Sequence, residues 1–462
     1  MSLEEMHVEQ MSINTIRTLS MDGVEKANSG HPGTAMALAP LAYVLWKKAM
    51  RYNPQNPNWF DRDRFVLSAG HASILQYTML YLTGYDLELD DLKNFRQWGS
   101  KTAGHPERDV TPGVETTTGP LGQGLMNSVG MAMAEAHLAS RFNRPGHEII
   151  DHYTYAICSD GDFMEGASHE AASLAGHLGL NKLIWMYDEN YISIEGPTDI
   201  AYSDDAPARF RAHNWHVIDL GDQANNIEAI SGALEKARAE TEKPSLIVLR
   251  SHIGYGSPNM QDTPVAHGSP LGEEEIRLTK RAYGWPEDES FLVPDEALQH
   301  MRGAVDRGKE LEDQWEQQLA EYREEYPELA DAFEACLAGE LPENWDADVP
   351  CFVPEDGPMA TRNAGGDALR AIAPRVPWLI GGSADLAPST KTLLEDTDYF
   401  ARDEYHHRNI AYGVRELAMC GISSGIALHG GLLPYAATFF VFTDYARPSI
   451  RLAALMELPV IY

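Results

Sequence analysis

Cysteine, lysine and long apolar runs are all scarce in this 462-residue chain, and each shortage removes a class of protein. The four cysteines, Cys158, Cys336, Cys351 and Cys420, stand far apart, with no pair at metal-ligand or redox spacing. They read as reduced packing residues of a cytosolic protein. No apolar run approaches the roughly 20 residues that span a bilayer. The amino terminus has no basic stretch followed by an apolar core, so no secretory signal is expected and the expected location is cytoplasmic. Basic charge is also in deficit: 69 acidic residues stand against 36 basic ones, of which only 11 are lysine, for a formal charge of −33. Such a surface lacks the basic patches that nucleic acid requires and is repelled by an anionic membrane. It suits concentrated salt, where screening relaxes self-repulsion, so a salt-adapted host is expected.

What remains is an ordinary globular composition, 44% apolar and 23% charged, with length for about three domains. The stretch that organises the chain runs from Ser159 to Ile192. An apolar run, Tyr153 to Cys158, predicts a buried parallel strand that stops at Ser159-Asp160-Gly161-Asp162. A helix is expected over 163–180, then a second strand from Lys182 to Tyr187, ending at Asp188-Glu189-Asn190-Tyr191-Ile192. A right-handed crossover puts the two strand ends side by side, and in open α/β sheets ligands bind outside such ends. Asp160 offers a carboxylate, Asn190 an amide oxygen and Ile192 a backbone carbonyl, while Gly161 leaves room for a bulky anion. Hard oxygens with vacant positions suit Mg²⁺. By itself an Asp-Gly pair is common at any strand-end turn.

Three Gly-His pairs sit on separate loops. They are Gly30-His31 after a helix over 6–27, Gly70-His71 after a short strand over 65–67, and Gly104-His105 before Pro106. His267 is flanked by Gly268. A lone loop histidine is ordinarily a solvated surface residue. Flanking Gly and Pro, which thin and fix the backbone, favour a site, and imidazoles bind hydroxyls and phosphates in either protonation state. Thr116 through Gly124 forms a Gly-rich turn into a helix over 125–142, an anion-binding arrangement, without the spacing of the dinucleotide fingerprint. A helix is predicted over 34–50. Strands near 215–220 and at 245–250, with a helix over 227–241 between them, continue the parallel-sheet pattern. Residues 273–337 read as acidic, solvated helix, and 338–357, rich in Pro, Asp and Glu, as a linker. Beyond it come a helix over 360–372, a strand over 377–381, Glu416 entering a helix over 417–429, and an aromatic strand over 433–443 that reads as core.

The order acid, helix, strand, asparagine resembles the diphosphate-binding motif of thiamine diphosphate enzymes, with Ser159 in place of the usual first glycine. Together with Ser29 through Gly33, Gly70-His71, Gly104-His105-Pro106, Thr116 through Gly124, Gly382 through Ser389 and Tyr412 through Glu416, the chain resembles the transketolase family over its whole length. The resemblance implies an α/β fold of two doubly wound parallel-sheet domains of the thiamine diphosphate-binding type. The first is a diphosphate-binding domain, 1–337, and the second a pyrimidine-binding domain, 358–462. This second domain is expected to be incomplete, with the family's carboxyl-terminal domain absent.

The resemblance further implies transfer of a two-carbon glycolaldehyde unit from a ketose phosphate to an aldose phosphate, in the pentose phosphate pathway, with thiamine diphosphate and Mg²⁺ (or Ca²⁺ or Mn²⁺). Asp160, Asn190 and Ile192 would hold the metal, with Gly161 beside the diphosphate. His71 would contact the diphosphate, and Gly119 and Leu121 would support the bent cofactor. Glu416 would bond the aminopyrimidine, and Phe439, Phe442 and Tyr445 would surround it. Glu165 would lie near the cofactor and, with Glu170, on a carboxylate path between two sites of a homodimer. His31, His105 and His267 would bond sugar hydroxyls and move protons, Asp385 would line the channel, and Arg362 and Ser389 would grip the sugar phosphate. Tyr191 stands where the family tends to have a small residue. Three readings stay open: an active enzyme completed by a second polypeptide, a truncated form with poor turnover, and a non-catalytic cofactor-binding or dimerisation module. A related ketose transferase, a dihydroxyacetone synthase or phosphoketolase, is a fourth, which Arg362 and Ser389 disfavour.

Overall fold

A computed structural model describes residues 3–462. The chain gathers into two compact units. The first runs to Leu125 and adds His152–Ser168 and Asn181–Trp315; the second comprises Met126–Asp151, His169–Leu180 and Glu316–Tyr462.

The first unit is built on five strands, β1 (Arg64–Leu67), β2 (Thr154–Ser159), β3 (Leu183–Glu189), β4 (His216–Asp219) and β5 (Ser245–Arg250), in the order β1-β2-β3-β5-β4. Every pairing is parallel, with Phe65 opposite Tyr155, Ile157 opposite Met186 and Met186 opposite Ile247. Parallel strands covered on both faces must be apolar throughout. Accordingly β2 is buried along its whole length, while the edge strand β4 is not. The helix Val8–Ala27 is buried from Met11 to Val24, and Asn28 ends it in the left-handed conformation at φ 50°. Its Arg17 is buried but satisfied, donating to the Met36 carbonyl at 3.0 Å and to Asn225 Oδ1 at 2.6 Å.

The second unit carries β6 (Leu379–Ser383), β7 (Asn409–Ala411) and β8 (Leu433–Ala437), parallel in the order β7-β6-β8. An isolated parallel bridge from Tyr435 to Ile461 continues the pairing past β8. Helix Glu416–His429 lies against residues 126–142 at backbone distance. A Cβ on Gly130 would stand 2.0 Å from the Ile422 carbonyl oxygen, and one on Gly425 2.1 Å from that of Asn127. Among the described residues no helix is long and apolar enough to cross a membrane.

Four expectations are corrected. The helix expected over 34–50 is two short helices, Pro32–Ala37 and Ala39–Val44, followed by a wide turn, Leu45–Ala49. Pro40 lacks the donor an unbroken helix needs. The helix expected over 163–180 begins earlier and divides into Asp160–Met164 and Gly166–Leu178, with Glu165 extended between them. The Asp162 carboxylate draws the start back to Ser159 by accepting from its N–H at 2.9 Å. The aromatic strand expected over 433–443 stops at Ala437. Phe440–Phe442 is a 3₁₀ turn, and Phe440 is 90% exposed where core was expected. Cys158, Cys336 and Cys420 are buried packing residues, but Cys351 is exposed on the segment after the helix Pro327–Ala338.

Candidate active site

Four loops of the first unit deliver histidines to one place. His31 caps the helix Pro32–Ala37, His71 lies in the 3₁₀ turn Gly70–Ala72 just past β1, and His267 lies in the short helix Pro264–Gly268. Ring centroids are 5.1 Å apart for His31 and His71, 5.7 Å for His31 and His267, 5.1 Å for His71 and His267, and 6.4 Å for His31 and His105. Missing side chains permit the approach. A Cβ on Gly33 would stand 2.4 Å from the Ala266 carbonyl oxygen, and one on Gly70 would stand 2.7 Å from the Gly119 nitrogen. Gly119 itself, at φ 142°, lies against the His105 ring.

Burial disfavours the charged imidazole. It pushes His31 down to about 4, with added repulsion from His267, Arg96 and His105. The same cause drives His71 well below its ordinary value and lowers His105. Burial also lowers His267, against a hydrogen bond to the Ile192 backbone that works the other way. At neutral pH the cluster is therefore four neutral rings, each with one donor and one acceptor. His71 Nε2, His267 Nδ1 and Thr118 Oγ1 are buried without a protein partner. Buried polar atoms are normally paired, so these three have hydrogen-bonding capacity left for a polar ligand.

Beside the histidines lie the carboxyl ends of β2 and β3, where Ser159 pairs with Asp188. Asp160 accepts from the Tyr187 hydroxyl and, at 3.2 Å, from the Tyr191 N–H. Asn190 Oδ1 accepts from the Ile192 N–H at 2.9 Å. Asp160, Asn190 and Ile192 thus lie at or just past the carboxyl ends of β2 and β3. Burial, with repulsion from Asp188, pushes Asp160 up to about 7, so a cation there would relieve a real penalty. Among the described residues no cluster of three or more His, Cys, Asp or Glu side chains is placed to hold a metal. This set instead uses one carboxylate, one amide and one backbone carbonyl. Gly161 and Leu121 form the floor: a Cβ on Gly161 would meet Leu121 Cδ1 at 2.7 Å. The donor chemistry and the orphaned atoms fit a diphosphate carrying a divalent metal.

Two buried acids had no expected role. Asp162 accepts from Ser68 Oγ at 2.6 Å, the Gly122 N–H at 2.7 Å and the Ser159 N–H, tying β1, the Gly-rich turn and β2 together. Asp188 accepts from Asn190 Nδ2 at 2.7 Å and from the Ser251 hydroxyl, which fixes the direction of the Asn190 amide. The apolar runs ahead of them gave the strand ends, but nothing in local spacing announces partners as distant as Ser68 or Ser251. Tyr191 holds φ 61°, with Arg250 stacked 4.6 Å above its ring. Glu165 is exposed and packs its Cβ against Gly122 rather than entering the histidine cluster.

In the second unit Glu416 opens the helix Glu416–His429. Glu170 accepts from the Ala418 N–H at 3.0 Å, and burial plus the nearby Glu416 charge raise its pKa. Phe439, Phe442 and Tyr445 form a stacked row with centroids 6.3 and 6.4 Å apart; Phe439 and Tyr445 are exposed. Arg362, Asp385 and Ser389 are exposed as well. Arg362 lines a largely apolar cavity of about 450 Å³ with Trp345, Leu379 and Tyr435, and Asp385 takes a left-handed φ of 61°. No hydrogen bond joins these three to one another.

Residues 8–342 match the transketolase thiamine diphosphate binding domain and residues 357–462 the transketolase pyrimidine binding domain. Curated transketolases of Halalkalibacterium halodurans and Geobacillus stearothermophilus are 56% and 55% identical over 457 residues. Those alignments cover 99% and 98% of this chain and 68% of each relative. The solved transketolase of Leishmania mexicana superposes with a TM-score of 0.96 at 46% identity, covering 99% of this chain and 68% of that one. A transketolase of Pichia stipitis, solved with sedoheptulose 7-phosphate, gives the same score and identity over 98% and 68%. The chain therefore belongs to the transketolase family of transferases and is built from that family's thiamine diphosphate binding and pyrimidine binding domains.

Proposed function

We propose that this chain takes part in moving a glycolaldehyde unit from a ketose phosphate to an aldose phosphate, in the pentose phosphate pathway of the cytoplasm. The observation that carries the reading is the convergence of four neutral histidines beside a glycine-lined crevice with oxygen donors at its mouth. Asp160, Asn190 and the Ile192 carbonyl hold a divalent metal, Mg²⁺ by ligand type. His71 bonds the diphosphate, and Gly119, Leu121 and Gly161 shape its seat. Thiamine diphosphate, when bound there, would supply the nucleophilic chemistry of the transfer. His31, His105 and His267 orient sugar hydroxyls and pass protons, work suited to rings whose neutral form is held by burial. Glu416 bonds the aminopyrimidine, and Arg362, Asp385 and Ser389 take the sugar and its phosphate, in keeping with the sugar phosphate bound to the Pichia stipitis relative. Exposed Phe439, Phe440 and Tyr445 form an apolar surface of the kind a second copy covers, which supports a homodimer. The relatives lend no support to a separate completing polypeptide.

A coupled assay with xylulose 5-phosphate and ribose 5-phosphate, on the 462-residue chain loaded with thiamine diphosphate and Mg²⁺, tests the reaction. Calorimetry with cofactor and metal tests the site. Turnover that is lost in His267→Ala, with cofactor binding kept, supports the reading. Absence of cofactor binding overturns it, and binding without turnover leaves the cofactor-binding module as the better description.

A further inference from the structure

Arg96 occupies a position that a bland surface residue would not. Its φ is 60°, a left-handed conformation that long side chains avoid. Its N–H donates to the Thr102 carbonyl at 2.9 Å, and its guanidinium, stacked 5.5 Å from Phe95, reaches between two histidine loops. There Nη1 donates to Ser29 Oγ at 3.0 Å, and Nη2 lies 3.4 Å from both His31 Nδ1 and the Gly104 carbonyl oxygen. Gly104 keeps the space open, since a Cβ on it would come within 3.3 Å of Arg96 Nε.

A guanidinium carries donors only. Facing one, His31 Nδ1 must present its lone pair, so the neutral ring carries its proton on Nε2. That edge is turned to Gly268, where a Cβ would stand 3.5 Å from Nε2. We propose that Arg96 is a positioning residue that fixes His31 as the Nε2–H tautomer and thereby makes it a hydrogen-bond donor, not a proton acceptor, toward a substrate oxygen. Acceptance of a proton from a sugar hydroxyl then falls to His105 or His267. The inference rests on the proposed substrate role of the cluster for what the Nε2 proton meets, but the tautomer stands independently of turnover.

The test labels the full chain with ¹⁵N-histidine and records long-range ¹H–¹⁵N spectra at neutral pH, with His31 assigned by its loss in His31→Asn. The native chain is expected to show Nε2 protonated and Nδ1 bare. Arg96→Gly relaxes the left-handed backbone while removing the guanidinium, and Arg96→Asn, which also tolerates that conformation, serves as the second variant. In both, the Nδ1–H form is expected to appear. The His31 titration midpoint should move up by about one pH unit, because a neighbouring cation has gone. The other titratable groups facing His31 are His71, His105 and His267, all retained. A native His31 protonated on Nδ1 overturns the proposal. So does an Arg96 variant with native tautomer and native midpoint. Both readouts survive a failure of the proposed transfer reaction, so the two failures are distinguishable.

Discussion

At the scale of single residues, buried acceptors do more than the histidines that draw attention first. Asp162 accepts from four donors on three separate segments, so Asp162→Asn sets a donor against them in place of one of its two accepting oxygens. Hydrogen bonds to a charged group contribute about 1.5–3 kcal/mol each. Loss of about 3 kcal/mol is expected, read as a lower thermal midpoint, together with weaker cofactor binding by calorimetry. His31 gives a pH prediction with a definite sign. Its folded pKa, about 4, lies below the ordinary value of 6.5, so between these two values the unfolded chain binds more protons than the folded one. Its contribution is intact above pH 6.5 and is lost as pH falls toward 4. His31→Asn, which cannot titrate, should therefore lose less of its thermal midpoint than the native chain between pH 6.5 and 4. An equal loss in the two proteins would refute this account. The charges themselves were legible in sequence; their burial, and hence the direction of each shift, was not.

At the scale of elements, strands were easier to read than helices. β2, β3 and β5 are continuous apolar runs ended by polar turns, and buried parallel strands can hardly look otherwise. Helix ends depend on caps and on partners brought from elsewhere. The break at Glu165 follows from Asp162 being drawn to Ser68 and Gly122, contacts that helical periodicity cannot contain. The aromatic strand expected over 433–443 looked like core because apolar pattern reports what wants burial and not what covers it. Glycines divide along similar lines. Gly425 faces the Asn127 carbonyl oxygen at 2.1 Å from any added Cβ, whereas Gly232, in the helix Ile227–Ala239, faces open space. Gly425→Ala should cost about 1–3 kcal/mol through overpacking. Gly232→Ala should stabilise by about 0.5–1 kcal/mol through helix propensity. Denaturant midpoints of the two variants should move in opposite directions, and movement in the same direction would exclude the close helix contact.

At the scale of the whole molecule, the charge of −33 acts on stability through salt. Self-repulsion at that charge is screened within about 3 Å at molar ionic strength, against about 30 Å at 0.01 M. The thermal midpoint is therefore expected to climb between low and molar KCl, and a flat profile would remove the case for salt adaptation. Relatives that share half or more of its residues cover the chain almost from end to end, while it spans 68% of their length. The residues that form the crevice of the first unit all lie inside the matched thiamine diphosphate binding domain, residues 8–342.

By itself the sequence determined the parallel α/β class, the family and the loops that bear histidine, because these are carried by local pattern, motif order and composition. Only the tertiary structure decided that four of those histidines share one neutral cluster, that Asp162 and Asp188 brace the strand ends, and that Arg96 reaches His31. Those facts depend on which distant segments come together and how far water is excluded between them, and one-dimensional spacing records neither.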